Sequence, residues 1–227
     1  MNSPAPASSL GDLRQIACYF DFISPYAYLA FESLPETLAG ISYSTSYKPV
    51  LFGAMLKHHG QLGPAEINPK RDWTYRQVAW LAHSHGISLQ MPASHPFNPL
   101  PLLRLAIACS PDAEPASPNR HVCETIFRHV WCGGLEAGDP ARLEALSGAL
   151  SPRREVNGDD VKAQLKRNTD EAIALGVFGV PTFVVDGKVF WGFDALPMLR
   201  AYLQGDAWFE GTGWNSVHSV RVGIRRQ

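Results

Sequence analysis

The chain has four cysteines, Cys18, Cys109, Cys123 and Cys132, and no two of them form a C-x-x-C pair. That excludes a redox dithiol read from spacing and a cysteine-based zinc site, and leaves buried free thiols as the default. Its eight histidines do not change this, because His58/His59 and His83/His85 lack the partners of a metal motif. There is no basic surplus: the net charge is −1 and the pI about 6.7, so the electrostatic footprint of a nucleic-acid binder is missing. No apolar run approaches the ~18 residues that a membrane-spanning helix needs. Residues 1–15 are polar and small, without the basic start and apolar stretch of a secretory signal. The expectation is a cytoplasmic protein with no membrane or nucleic-acid partner, acting on a small molecule.

What is present suits one globular domain, or one domain with a subdomain. The chain has 227 residues, 45% of them hydrophobic and 18% charged, enough to bury a sizeable core. Residues 16–23 are rich in β-formers and run into Ser24-Pro25, the pairing expected when Ser caps a helix and Pro takes its first position. That helix carries Tyr28, Leu29 and Phe31 before Pro35, which ends or kinks it. Residues 41–50 alternate loosely and give a second strand. From about Asp72 to Leu175 apolar residues recur at three and four, as in Val78/Leu81/Ala82 and Val122/Ile126/Val130. Gly86 and Gly133-Gly134 stop helices there, Asp139-Pro140 starts one, and residues 111–118 read as a loop.

A further helix over residues 159–175 stops at Gly176. Residues 182–185 and 189–191, joined across Asp186-Gly187, form a β-hairpin, and a last helix carries Leu196, Leu199 and Leu203. The order βαβ, several helices, then αββα is an α/β, thioredoxin-like fold with an inserted helical subdomain. The expected division is 14–70 with 158–205 for the thioredoxin-like domain, 71–157 for the insertion and 206–227 for a C-terminal extension. In such a fold the junctions at 19–26 and 176–183 meet and cradle a thiol. Here Ser24 and Ala27 stand where a redox enzyme would carry two cysteines.

The chain resembles the 2-hydroxychromene-2-carboxylate isomerase family, related to kappa-class glutathione transferases and the DsbA-like branch of thioredoxin folds. The resemblance rests on Tyr19-Phe20-Asp21-Phe22-Ile23-Ser24-Pro25-Tyr26, Leu51-Phe52-Gly53-Ala54-Met55-Leu56-Lys57, Phe97-Asn98-Pro99-Leu100-Pro101, Gly176-Val177-Phe178-Gly179-Val180-Pro181-Thr182-Phe183 and Phe190-Trp191-Gly192-Phe193-Asp194. It implies a bound glutathione whose thiolate sits beside the Ser24 hydroxyl. It also implies thiolate addition to a conjugated carbonyl compound, rotation about the bond made single, and departure of the thiol unconsumed. Known members convert a cyclic hemiketal carboxylate to an open benzylidenepyruvate during breakdown of fused aromatics.

Two roles stand open for most of the implied residues. Ser24 is a thiolate partner or a plain N-cap. Val180-Pro181 is a cis bond whose backbone edge pairs with glutathione, as the resemblance implies, or a trans proline opening a strand. Asp194, with Trp191, Gly192 and Phe193, accepts the γ-glutamyl ammonium or caps the last helix. Lys57, Asn68 and Asn98 bind the substrate carboxylate or are solvated loop residues, and residues 66–70 depart from the family's usual wording. Trp73, Tyr75 and Trp80 wall an aromatic-substrate pocket or, as their helical spacing favours, belong to the core, and Asp21 is a buried carboxylate that tunes the site or, in the leading reading, a hydrogen-bonded structural one before Ser24.

The leading function is a glutathione-dependent isomerase of an aromatic 2-oxo acid; a kappa-like transferase and a noncatalytic thioredoxin-like binding module are the alternatives. Ser24 and Ala27 disfavour a disulfide oxidoreductase, since exchange requires a thiolate nucleophile. Family members are commonly dimers, so the resemblance admits a homodimer without fixing its interface. Trp208, Phe209 and Trp214 beyond the last helix cover either a core or a subunit contact.

Overall fold

A computed structural model describes residues 13–111, 117–221 and 223. The amino-terminal segment before Leu13, most of the Pro/Ala/Ser-rich loop and the basic end beyond Arg221 lie outside the described residues. Four strands, β1 (Arg14–Phe20), β2 (Tyr43–Pro49), β3 (Thr182–Val185) and β4 (Lys188–Trp191), form one sheet in the order β2-β1-β3-β4. β1 runs parallel to β2 and antiparallel to β3, and β3 is antiparallel to β4. The helices are α1 (Pro25–Thr37), α2 (Phe52–His58), α3 (Asn68–Ser84), α4 (Leu100–Ala108), α5 (Arg120–Trp131), α6 (Pro140–Leu150), α7 (Asp159–Ala174), α8 (Leu196–Leu203) and the single-turn α9 (Thr212–Asn215). This is the expected α/β thioredoxin-like architecture, with α3 to α6 inserted between its two halves.

Alternation along β1 divides the interior. Ile16, Cys18 and Phe20 face a large core shared with α1, α4, α5 and α8, whereas Tyr19 faces a smaller one with Val50, Met55, Ala172, Val177, Val180 and Val184. Aromatic contacts hold the large core: Phe127 lies 4.8 Å from Phe22, edge to face, and 5.1 Å from Phe31, with the rings tilted. Trp131 anchors the insertion to the first junction by donating its indole N–H to the Phe22 carbonyl at 3.1 Å.

Helix boundaries differ from expectation where capping side chains are missing. α2 follows Leu51, and α3 begins four residues before Asp72 after the uncapped Ile67, with Pro69 in its first turn. Pro35 neither ends nor breaks α1, which continues to Thr37. The amide that Pro35 lacks would have bonded the Phe31 carbonyl. Instead Arg120 supplies that bond, with Nη1 at 3.2 Å and Nη2 at 3.3 Å, while its guanidinium lies 4.2 Å from the Phe31 ring centre.

Trp73 and Trp80 are not core: they are 62% and 64% exposed. α3 buries Thr74, Val78 and Ala82 at four-residue spacing, which leaves both tryptophans on another face. In the extension, Phe209 is buried and stacks with Trp214 against Phe190 of β4, so these aromatics extend the core. Replacing Arg120 with Met keeps the aliphatic stem but orphans the Phe31 carbonyl and loses the ring contact. Urea denaturation should read a loss of roughly 2–3 kcal/mol; a change below about 0.5 kcal/mol would contradict the role.

Candidate active site

Four loops close around a cavity of about 490 Å³. The first is the β1–α1 turn. The Ser24 amide donates to the Asp21 carbonyl at 3.1 Å, and Ser24 then adopts an extended conformation that starts α1, its Oγ accepting from the Ala27 amide at 3.2 Å. Ser24 is therefore an N-cap, and it also does something a cap does not require: its hydroxyl donates to the Val180 carbonyl at 3.3 Å. That is long for an O–H···O bond, which makes it cheap to exchange for a better acceptor.

The second loop follows α7. Gly176, with φ of 79°, ends the helix and sends the chain through Val177 and Phe178 to a cis Val180–Pro181 bond. Gly179 lets the Trp191 indole pack close: a Cβ there would lie 2.5 Å from its ring nitrogen and displace the ring. Trp191 and Phe178 meet at 4.7 Å on the cavity wall, both well exposed. The Pro181 carbonyl accepts from the Gly192 amide at 2.9 Å, which ties this loop to the end of β4.

Asp21 joins the first loop to a third, between β2 and α2. Its Oδ1 accepts from the Ile23 amide at 3.1 Å and its Oδ2 from the Phe52 amide at 3.0 Å. It is wholly buried, and burial pushes its carboxyl up to about 7 against the restraint of those two N–H donors. The fourth wall comes from residues 61–66, α3 and the loop after it. There His95 donates Nε2–H to the Ile23 carbonyl at 2.8 Å, since a carbonyl can only accept, and Nδ1 faces the Tyr75 hydroxyl at 2.7 Å. Burial lowers the His95 pKa, only partly offset by the Ile23 bond, which favours the neutral imidazole.

Ser24, Val180 and Trp191 thus line one cavity. Pro181, Gly192 and Phe193 flank it without lining it. Asp194 is exposed and caps neither the short 3-10 turn Phe193–Ala195 nor α8. Asp194 does not line the cavity; the pKa of Tyr26, which does, is raised by burial, opposed by a Thr74 hydrogen bond, and raised further by the Asp194 charge. Lys57, Asn68 and Asn98 are exposed and do not line the cavity; Asn98 instead accepts from the Leu100 amide at 3.1 Å to start α4. Lys70 is the single Lys or Arg among the lining residues. Tyr26, Phe52 and His95 also line it without having been singled out from sequence, and so does Tyr75, which helical spacing assigns to the core rather than to a pocket wall. His95 stands two residues before Phe97 in the quoted stretch, the one signal that pointed there.

None of the four cysteines reaches the cavity, and no group of His, Cys, Asp and Glu among the described residues is arranged to hold a metal. No helix among the described residues is long and apolar enough to cross a membrane. The site therefore presents a hydroxyl, and no cysteine, at the N-terminus of α1.

A mixed sheet, an inserted helical subdomain and a capped junction against a cis-proline loop define a DsbA-like thioredoxin protein. The chain belongs to the DSBA-like thioredoxin domain family, whose model matches residues 15–204. It is 25% identical over 197 residues to 2-hydroxychromene-2-carboxylate isomerase of Sphingobium xenophagum, covering 84% of this chain and 98% of that one. It is 24% identical to glutathione S-transferase kappa 1 of Rattus norvegicus, covering 86% and 92% of the two chains. A solved 2-hydroxychromene-2-carboxylate isomerase superposes with a TM-score of 0.70 at 24% identity, over 91% of this chain and all of that one.

Asp21 makes stability depend on pH in a stated direction. Its folded pKa, about 7, lies above the ordinary 3.8, so its contribution is complete below about pH 3.8 and is lost as pH rises through 7. Asp21→Asn leaves one of the two N–H donors, Ile23 or Phe52, without an acceptor and should be less stable than the parent at pH 5. That deficit should shrink by roughly 2–3 kcal/mol at pH 8, by denaturant titration; a deficit independent of pH would contradict the burial argument.

Proposed function

We propose that this protein binds glutathione in the cavity and is a cis-trans isomerase of 2-hydroxychromene-2-carboxylate or a similar aromatic 2-oxo acid. The observation that carries the reading is the Ser24 hydroxyl, held at the N-terminus of α1 by Ala27 and bonded weakly across to Val180. Glutathione fits the residues present: the volume lies within the ~300–1,000 Å³ range of small-molecule sites, and a backbone edge, a cation and a hydroxyl converge on it. When bound, glutathione supplies a nucleophile that adds reversibly to a conjugated carbon, so that a double bond becomes single, rotates and re-forms.

The chain's own residues do the rest. Ser24 turns its O–H from Val180 to the sulfur, and the α1 dipole favours the anion there. A free thiol with pKa near ~8.5 is only about 3% ionised at pH 7, and lowering that pKa by about two units raises the thiolate roughly 25-fold. Nucleophilicity falls with basicity and removes roughly 6- to 10-fold of the gain. Positioning therefore matters more than ionisation. Val180 pairs its main chain with the tripeptide, Asp194 takes the ammonium and Lys70 takes a carboxylate. Trp191, Gly192, Phe193 and Pro181 complete the wall, and Phe178, Phe52 and Tyr26 offer apolar surface to the aromatic ring. Lys57, Asn68 and Asn98 would reach substrate only at the rim.

A kappa-like transferase is the second reading, favoured by similarity to a protein of that name. Mass balance separates the two, because an isomerase returns all glutathione whereas a transferase accumulates a conjugate. A cytoplasmic location and a homodimer belong to the same proposal. Ser24→Ala should lower kcat/KM with 2-hydroxychromene-2-carboxylate at least ~10-fold, from the few-fold ionisation gain together with the lost positioning of sulfur, while costing only ~1 kcal/mol of stability as a lost cap. Unchanged kcat/KM in a folded Ser24→Ala variant, or turnover of the parent without glutathione, would refute the assignment.

A further inference from the structure

Asp21 is buried completely, yet it lines the cavity. Both carboxylate oxygens accept from neutral backbone amides, and no cation bonds to it among the described residues. Asp21 and Ser24 are the first and last residues of one hydrogen-bonded turn, which keeps their Cα atoms within about 7 Å. The other titratable groups on the wall are Tyr26 of α1, Glu66 of the preceding 3-10 turn, Lys70 and Tyr75 of α3, and His95. Tyr26 bonds Gln77, Glu66 bonds the Gly63 amide, and Tyr75 bonds His95. α2 bonds Asp21 through the Phe52 amide and lines the cavity with no titratable group, and α7 supports the same loop through the Thr169 hydroxyl on the Leu51 amide. The cavity thus contains one fully buried acid three residues from the Ser24 hydroxyl.

We propose that Asp21 accepts the proton a thiol loses when it binds at Ser24, a step that rests on the glutathione reading above. Asp21 receives H⁺ from S–H, directly or through one water; the electron pair stays on sulfur and the carboxylate becomes a carboxyl. The charge inside the cavity is unchanged by the step. Leaving Asp21 ionised would put two anions in one apolar site, which is the unfavourable arrangement that makes neighbouring acids share a proton. Burial has already brought the Asp21 carboxyl to about 7, near enough to a thiol's ~8.5 for the two to compete for that proton. When the product leaves, Asp21 returns the proton to sulfur and the site is restored.

The test counts protons. Glutathione is titrated into the whole protein in weak buffer between pH 6 and pH 9. Ultraviolet absorbance reports thiolate gained, and an indicator dye reports protons released. With Asp21 as acceptor, release per thiolate is near one at pH 6, where Asp21 is already protonated, and falls below about half at pH 8, where it starts ionised. In Asp21→Asn the ratio is one at every pH. Should that variant fail to fold, the pH dependence of the parent decides alone. A ratio of one across the range in the parent overturns the role of Asp21 while leaving glutathione binding intact. Absence of any binding signal overturns the glutathione reading and this inference with it.

Discussion

The hydrogen bond from Ser24 to the Val180 carbonyl joins parts of the chain 156 residues apart, and the cavity exists because they meet. Strand register brings them together. β1 and β3 pair antiparallel with Tyr19 opposite Thr182, so the chain leaving β1 and the chain entering β3 emerge side by side at one edge. A one-residue slip would move Tyr19 into the large core and Phe20 out of it, so the two packed faces of β1 enforce the register that the site needs. The insertion reinforces the arrangement from one side, with Trp131 on the Phe22 carbonyl and His95 on the Ile23 carbonyl.

Electrostatically the site is built to hold little charge of its own. Burial favours the neutral forms of both His95 and Asp21, and Lys70 and Glu66 are the wall's other charge-bearing groups, of opposite sign. In such surroundings one added anion interacts strongly with a nearby hydroxyl and helix terminus, because little water screens them. The residues that position Ser24 are also largely those that exclude water, so fold stability and chemistry draw on the same packing.

Much of this was legible in the sequence. Ser24-Pro25, Gly176 and Asp186-Gly187 punctuate the chain strongly, because each residue is needed for its backbone conformation or cap, and the sheet and both junctions follow from them. What escaped notice lacked such marks. α2 and α3 start at Leu51 and Ile67, which offer no capping side chain. Trp73 and Trp80 look like core by composition, yet α3 turns Thr74, Val78 and Ala82 inward instead. Choosing Lys57 over Lys70 requires knowing which lysine faces the cavity, and that depends on the path of residues 59–67, which no local pattern encodes. His95 and Tyr75 serve the site through each other and the Ile23 carbonyl, a tertiary relation that no spacing announces.

The most direct test of the central claim is a crystal structure of the protein with glutathione. The account predicts sulfur within about 3.5 Å of Ser24 Oγ, the reach of a hydrogen bond to sulfur, with the tripeptide backbone alongside Val180. Glutathione bound elsewhere, or a sulfur directed away from Ser24 while the hydroxyl keeps its bond to Val180, would contradict it.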